Sequence, residues 1–142
     1  MHLGSATVVS AIAVVLAFGP AENLRAEVPS APEYQAALEV VARQSDARTL
    51  SAAVAQIEAR LVKYPEDLSG FRALARGYAW QGRLPDADLA MAMAHKLGGE
   101  WKQALIFASR ASRALPEGSP ARAVADEVLS SIRQSVLESV SK

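Results

Sequence analysis

The chain has 142 residues, 51% of them apolar and 6% aromatic, which bounds it to one domain with a single core of modest side chains. Its 15 Lys plus Arg balance 15 Asp plus Glu, so no net field draws it to nucleic acid or to an anionic membrane surface. The lack of cysteine excludes disulfides, thiol catalysis, thiolate metal sites, covalent haem attachment and a lipid-modified cysteine anchor.

Residues 6–18 form an uncharged, mostly apolar run, shorter than the roughly 20 residues a bilayer span needs. That length and the Gly19-Pro20 break after it predict a signal peptide over 1–21, with small residues offering cleavage after Ala21 or Ala26. The alternative is a single N-terminal membrane anchor, if 3–19 spans with a tilt. Either reading puts the remainder outside the cytoplasm, in the periplasm or on an envelope membrane facing it, with membrane contact only through this segment if it is retained. Residues 22–32 mix charges with Pro29 and Pro32 and read as a linker.

The folded part is expected over 33–142. Ser30 with Glu33 has the form of a capping box, and Tyr34, Leu38 and Val41 recur at helical spacing. A second helix carries Leu50, Val54, Ile57, Leu61 and Val62 on one side and stops at Pro65. A third runs over about 68–81, with Phe71, Leu74, Ala75 and Tyr78 as its stripe and Gly82 as its stop. The fourth, 85–97, is rich in Ala and Met and ends at Gly98-Gly99. The fifth covers 101–115, before Pro116 and Gly118. The sixth starts with Ser119 as N-cap and Pro120 in its first turn, and Val124, Val128, Ile132, Val136 and Val140 form its narrow seam. No segment shows strand alternation, so the expected class is all-α, antiparallel helix pairs with a polar-faced C-terminal capping helix.

A fixed period runs through part of these pairs. Phe71, Leu74, Ala75 and Tyr78 followed by Ala87 and Met91 resemble the tetratricopeptide pattern of 34 residues, and Ala53, Ile57 and Pro65 keep the same phase upstream. Small residues such as Ala75 and Ala87 let helices approach while bulky ones fill the space beside them. A second block, Gly99, Ala104, Ala108 and Pro116, lies half a period out, because Ala104 follows Ala87 by 17 residues. The fourth helix therefore reads as the second helix of one repeat or as the first of the next.

On these residues the chain is similar to tetratricopeptide-repeat proteins, which implies a short right-handed solenoid. More specifically, 55–61, Tyr64 to Phe71, Leu74 to Tyr78, Gly82-Arg83, Gly99 to Ala104 and Leu115 to Arg122 resemble the periplasmic repeat domain of the bacterial cytochrome c maturation subunit that holds apocytochrome c. The resemblance implies a chaperone-like module that escorts apocytochrome c or another extended polypeptide, alone or with assembly factors. The alternative is a structural accessory subunit docking on a larger envelope complex.

In such repeats one face of a first helix lines the ligand groove. Here that face carries Ser69, Arg72, Arg76 and either Ala79 or Trp80, displaced from the apolar stripe. Two guanidiniums suit a carboxylate or backbone carbonyls, and an indole suits an apolar side chain. Leu89, Met93 and Leu97 extend the strip if the fourth helix is a first helix; otherwise they are core. His95 has no second histidine or acidic cluster beside it to make a metal site. Asp86 and Asp88 fall on different helix faces, unsuited to paired acid and base work, and no phosphate loop or nucleophile elbow is present. The expectation is a protein-binding module with no enzymatic chemistry and no cofactor.

Overall fold

Four of the helices begin where a side chain accepts from an amide that would otherwise lack a partner. The computed structural model describes residues 29–43 and 45–141; the expected targeting segment at 1–21 and most of the expected linker lie outside them. Among the described residues are six α-helices and no strand: α1 Ala31–Ala42, α2 Ala47–Lys63, α3 Leu68–Trp80, α4 Leu84–Leu97, α5 Trp101–Ala114 and α6 Pro120–Val140. Ser30 and Glu33 form the reciprocal capping box at α1, with bonds of 3.4 and 3.1 Å. Asp46, Asp67 and Ser119 accept from the amides of Thr49, Gly70 and Arg122 at 3.0, 3.0 and 3.1 Å. Because the cap is Ser30, α1 starts at Ala31, inside the stretch expected to be linker. Pro29 is buried too, and its carbonyl accepts from Arg60 Nη1 at 3.3 Å, so the fold reaches back to that residue.

Two kinds of turn connect the helices. After α3, Gly82 has φ +75°, the Gly82 amide donates to Ala79 O at 3.0 Å and the Arg83 amide to Tyr78 O at 2.8 Å. After α4, Gly99 has φ +73°, the Gly99 amide donates to Lys96 O at 3.1 Å and the Glu100 amide to His95 O at 2.9 Å. Both are Schellman closures, and each leaves three residues between helices. The turns after α2 and α5 differ: they carry Pro65 and Pro116, which cannot continue a helix, and end on the N-caps Asp67 and Ser119. Thus α4 lies between two turns of one kind, while α3 and α6 each follow a turn of the other.

The contacts between elements share that pattern. Each helix packs on the next, and among the described residues α1 also touches α3 and α4 touches α6, whereas α3 and α5 make no such contact. The result is stacked helix pairs in which α4 is central, meeting α3, α5 and α6. Its buried residues include Ala87, Ala90, Ala92 and Ala94, and α5 meets it with Ala104, Ala108 and Ala111, so backbones approach closely there. Around α3 the core is larger: Ile57, Leu61, Phe71, Leu74 and Tyr78 are fully enclosed. The close approach of α3 to α2 depends on Gly77, where a Cβ would stand 2.6 Å from Val54 Cγ2.

Most of the repeat residues fall in this core or its turns. Ala53, Ile57, Phe71, Leu74, Ala75, Tyr78, Ala87, Ala104 and Ala108 are buried, Gly82 and Gly99 hold the turns, and Pro65 and Pro116 stand in the proline turns. Met91 is half-buried and lines an opening between α3 and α5.

Candidate functional site

Because α3 and α5 both rest on α4 without touching each other, the surface of α4 between them floors an open groove. The α3 side supplies Arg72, Ala75, Arg76 and Ala79, the floor is Leu84, Ala87, Asp88 and Met91, and Arg110 comes from α5. The opening holds about 430 Å³. Apart from Asp88 its floor is aliphatic, and its walls carry guanidiniums, a combination that takes an apolar side chain and an anionic or carbonyl group together.

The charges are unequally satisfied. Arg110 Nη2 lies 3.3 Å from Asp88 Oδ1, and burial pushes the Asp88 carboxyl up while Arg110 pulls it back. Arg72 Nη2 lies 3.9 Å from Glu100 Oε1, a loose pair between exposed groups. Arg76 has no carboxylate within 4.0 Å among the described residues. The site therefore has one guanidinium uncommitted and a second weakly held. Glu100 Oε1 also accepts from His95 Nδ1 at 3.1 Å, and the His95 ring stacks on Phe107 at 5.3 Å, which places this histidine in a packed corner beside the Arg72 wall.

The structure sorts the residues the sequence proposed. Arg72 and Arg76 meet in the groove, and of the two candidates one turn further on it is Ala79 that lines it. Trp80 is turned to the other side, where its indole Nε1 donates to Val41 O of α1 at 3.0 Å and its ring stays 43% exposed. Ser69 is exposed on the first turn of α3 and is not part of the lining. Leu89 and Met93 do not extend the strip: both are buried, because α4 is enclosed by α3, α5 and α6 and only its Leu84, Ala87, Asp88 and Met91 side meets the opening. Leu97 is partly exposed at the end of α4, outside the lining.

Asp88 and Arg110 were not singled out as ligand contacts by sequence reading. Their meeting depends on α5 lying across α4, and nothing local in either segment encodes that pairing. Met91 was seen as a packing residue; its place on the floor follows from the three-residue spacing to Asp88 on the same helix face.

A second opening beside Arg60, Lys63, Tyr64 and Pro65 is structurally committed. The Arg60 guanidinium sits over the rings of Tyr34 and Tyr64 at 4.7 and 4.5 Å and holds Pro29. Tyr34 in turn donates to Asp67 at 2.5 Å, joining α1 to the cap of α3, and burial with that carboxylate raises the phenol above its ordinary range. Among the described residues no group of three or more potential metal ligands occurs, and no helix is long and apolar enough to cross a membrane.

Fold and site together define an all-helical protein of stacked helix pairs with an arginine-walled groove over its central helix. No protein-family model, curated protein or solved structure matches the chain.

Proposed function

We propose that this chain is a non-enzymatic, tetratricopeptide-like module of the cell envelope that binds a segment of another polypeptide in the groove between α3 and α5. The observation that carries the reading is the pairing of uncommitted Arg76 and loosely held Arg72 with the apolar floor of Ala87 and Met91. A ligand segment with a carboxylate beside an aliphatic side chain satisfies both surfaces at once.

Two features support the repeat architecture, for which the resemblance implies a right-handed solenoid. Proline turns precede α3 and α6 and glycine turns flank α4, and helices two apart touch at α1 with α3 and at α4 with α6. The equal turns on either side of α4 suit a helix that closes one repeat and opens the next. The apolar run at the N-terminus supports export, and the resemblance to the holder of apocytochrome c names an apocytochrome segment as the first ligand to try.

The test is binding of an acidic amphipathic peptide, and of apocytochrome c, to the full chain and to the Arg72→Ala, Arg76→Ala pair. Affinity for the peptide should fall about tenfold or more, equivalent to about 1.4 kcal/mol, with helicity unchanged. Unchanged affinity, or loss of helicity with loss of binding, rejects the groove as the site.

A further inference from the structure

α6 is longer than the stack it closes. Its last fully buried residue is Ile132 and its last side chain packed against the core is Val136, yet the helix continues to Val140, so four residues and about 6 Å project past the packed part. On this projection Leu137 is 69% and Val140 77% exposed, the most exposed large apolar side chains among the described residues. Between them in sequence stands Glu138, whose carboxylate takes a 3.3 Å bond from Gln134 and makes no ion pair among the described residues. The negative end of the α6 dipole lies at the same place.

These features complement the groove. It has an aliphatic floor at Met91 and Leu84 and an unpaired cation at Arg76, and the α6 tip has two aliphatic side chains and an unpaired anion. We infer that the α6 tip of a second copy of this chain docks in the groove, Leu137 and Val140 on the floor and Glu138 facing Arg76.

Tip and groove are different surfaces, so the contact is heterologous, and a molecule that inserts its tip still offers its own groove. The small area makes the association weak and concentration-dependent, and it competes with any other polypeptide for the site. The inference rests on the groove being a binding site, as proposed above, and adds its own occupant.

A charge exchange tests it in the full chain by sedimentation across a concentration series. Arg76→Glu and Glu138→Arg, each alone, should lower the weight-average mass at high concentration relative to the wild type, because each places like charges face to face. Mixing the two variants should restore association, since every cross-contact then pairs opposite charges, and the double variant should associate as the wild type does. Both positions are exposed, and circular dichroism checks that each variant is folded. If the single variants sediment as the wild type, or if the mixture fails to recover, self-docking is overturned. Peptide binding separates the two claims. Glu138→Arg leaves the groove intact, so peptide capture by that variant with no effect of either substitution on mass removes self-docking alone, whereas no peptide capture by any variant or by the wild type removes the groove reading.

Discussion

The phenol of Tyr78 on α3 donates a 2.6 Å hydrogen bond to the carboxylate of Glu58 on α2, and both residues are buried. The Arg83 guanidinium covers the Tyr78 ring at 4.3 Å and its Nε donates to Asp86 at 3.0 Å, so the α2, α3 and α4 segments meet in one polar cluster. Tyr78→Phe removes the donor and keeps the ring. A nearly enclosed carboxylate then lacks its partner, and unfolding free energy should fall by about 1–3 kcal/mol in urea titration. A change under a few tenths would show that water replaces the phenol there.

The same cluster gives a pH dependence. Burial raises the carboxyl of Glu58 above its ordinary 4.5, with Tyr78 and Arg83 pulling it partly back, and burial likewise raises Asp86 and Asp88 above 3.8. A carboxyl whose folded value is raised binds more protons folded than unfolded between its two values, so stability falls as pH rises through that window. The urea midpoint should therefore increase as pH is lowered from 7 towards about 5, and Glu58→Gln should flatten the slope. A midpoint that decreases over this interval contradicts the assignment. At lower pH Asp46 acts in the opposite sense, since the Thr49 amide and hydroxyl lower its carboxyl and that contribution is lost as it protonates.

Gly77 should not tolerate alanine. An alanine gains about 1 kcal/mol of helix propensity over glycine, but its Cβ would meet Val54 Cγ2 at 2.6 Å, and valine is stiff about χ1. Overpacking costs typically 1–3 kcal/mol, so Gly77→Ala should be destabilising overall or at best neutral. Combining it with Val54→Ala should recover part of the loss, a coupling that a double-mutant cycle reads directly. Additive effects would mean that α2 and α3 adjust without strain.

Gly82 and Gly99 hold equivalent turns and should respond alike. Each has positive φ, where a Cβ costs roughly 1–2 kcal/mol, so Gly82→Ala and Gly99→Ala should lower stability by similar amounts. Gly98, with φ −81°, is in the right-handed region, and Gly98→Ala should cost much less. Equal losses at Gly98 and Gly99 would contradict the Schellman geometry after α4.

Much of the fold was legible because its signals are local. Caps, prolines and turn glycines set α3, α4 and α5 to within a residue at each end and the start of α6 at Pro120, and the capping box of Ser30 with Glu33 formed as read. The linker boundary at 32 overlapped α1, although the sequence already offered Ser30 as its cap and Pro32 for its first turn. The ambiguous register of α4 has a physical source: Tyr78, Gly82 and Ala87 recur as His95, Gly99 and Ala104, so the same kind of turn both precedes and follows that helix.

The groove was less legible. Helical spacing brought Arg72 and Arg76 together, but could not choose between Ala79 and Trp80, because the choice depends on α1 offering Val41 O to the indole. It also could not place Leu89 and Met93, whose burial follows from α4 being enclosed by α3, α5 and α6. Such pairings across the stack are set by packing of whole helices, not by any short motif.

The most direct test of the central claim places a photo-crosslinking residue at Ala79 in the groove, or at exposed Ala52 on α2, in the full chain within a Gram-negative envelope. The account predicts polypeptide adducts from Ala79 that an acidic amphipathic peptide suppresses, and none of these from Ala52. Adducts of equal yield from both positions, or none from Ala79, would contradict it.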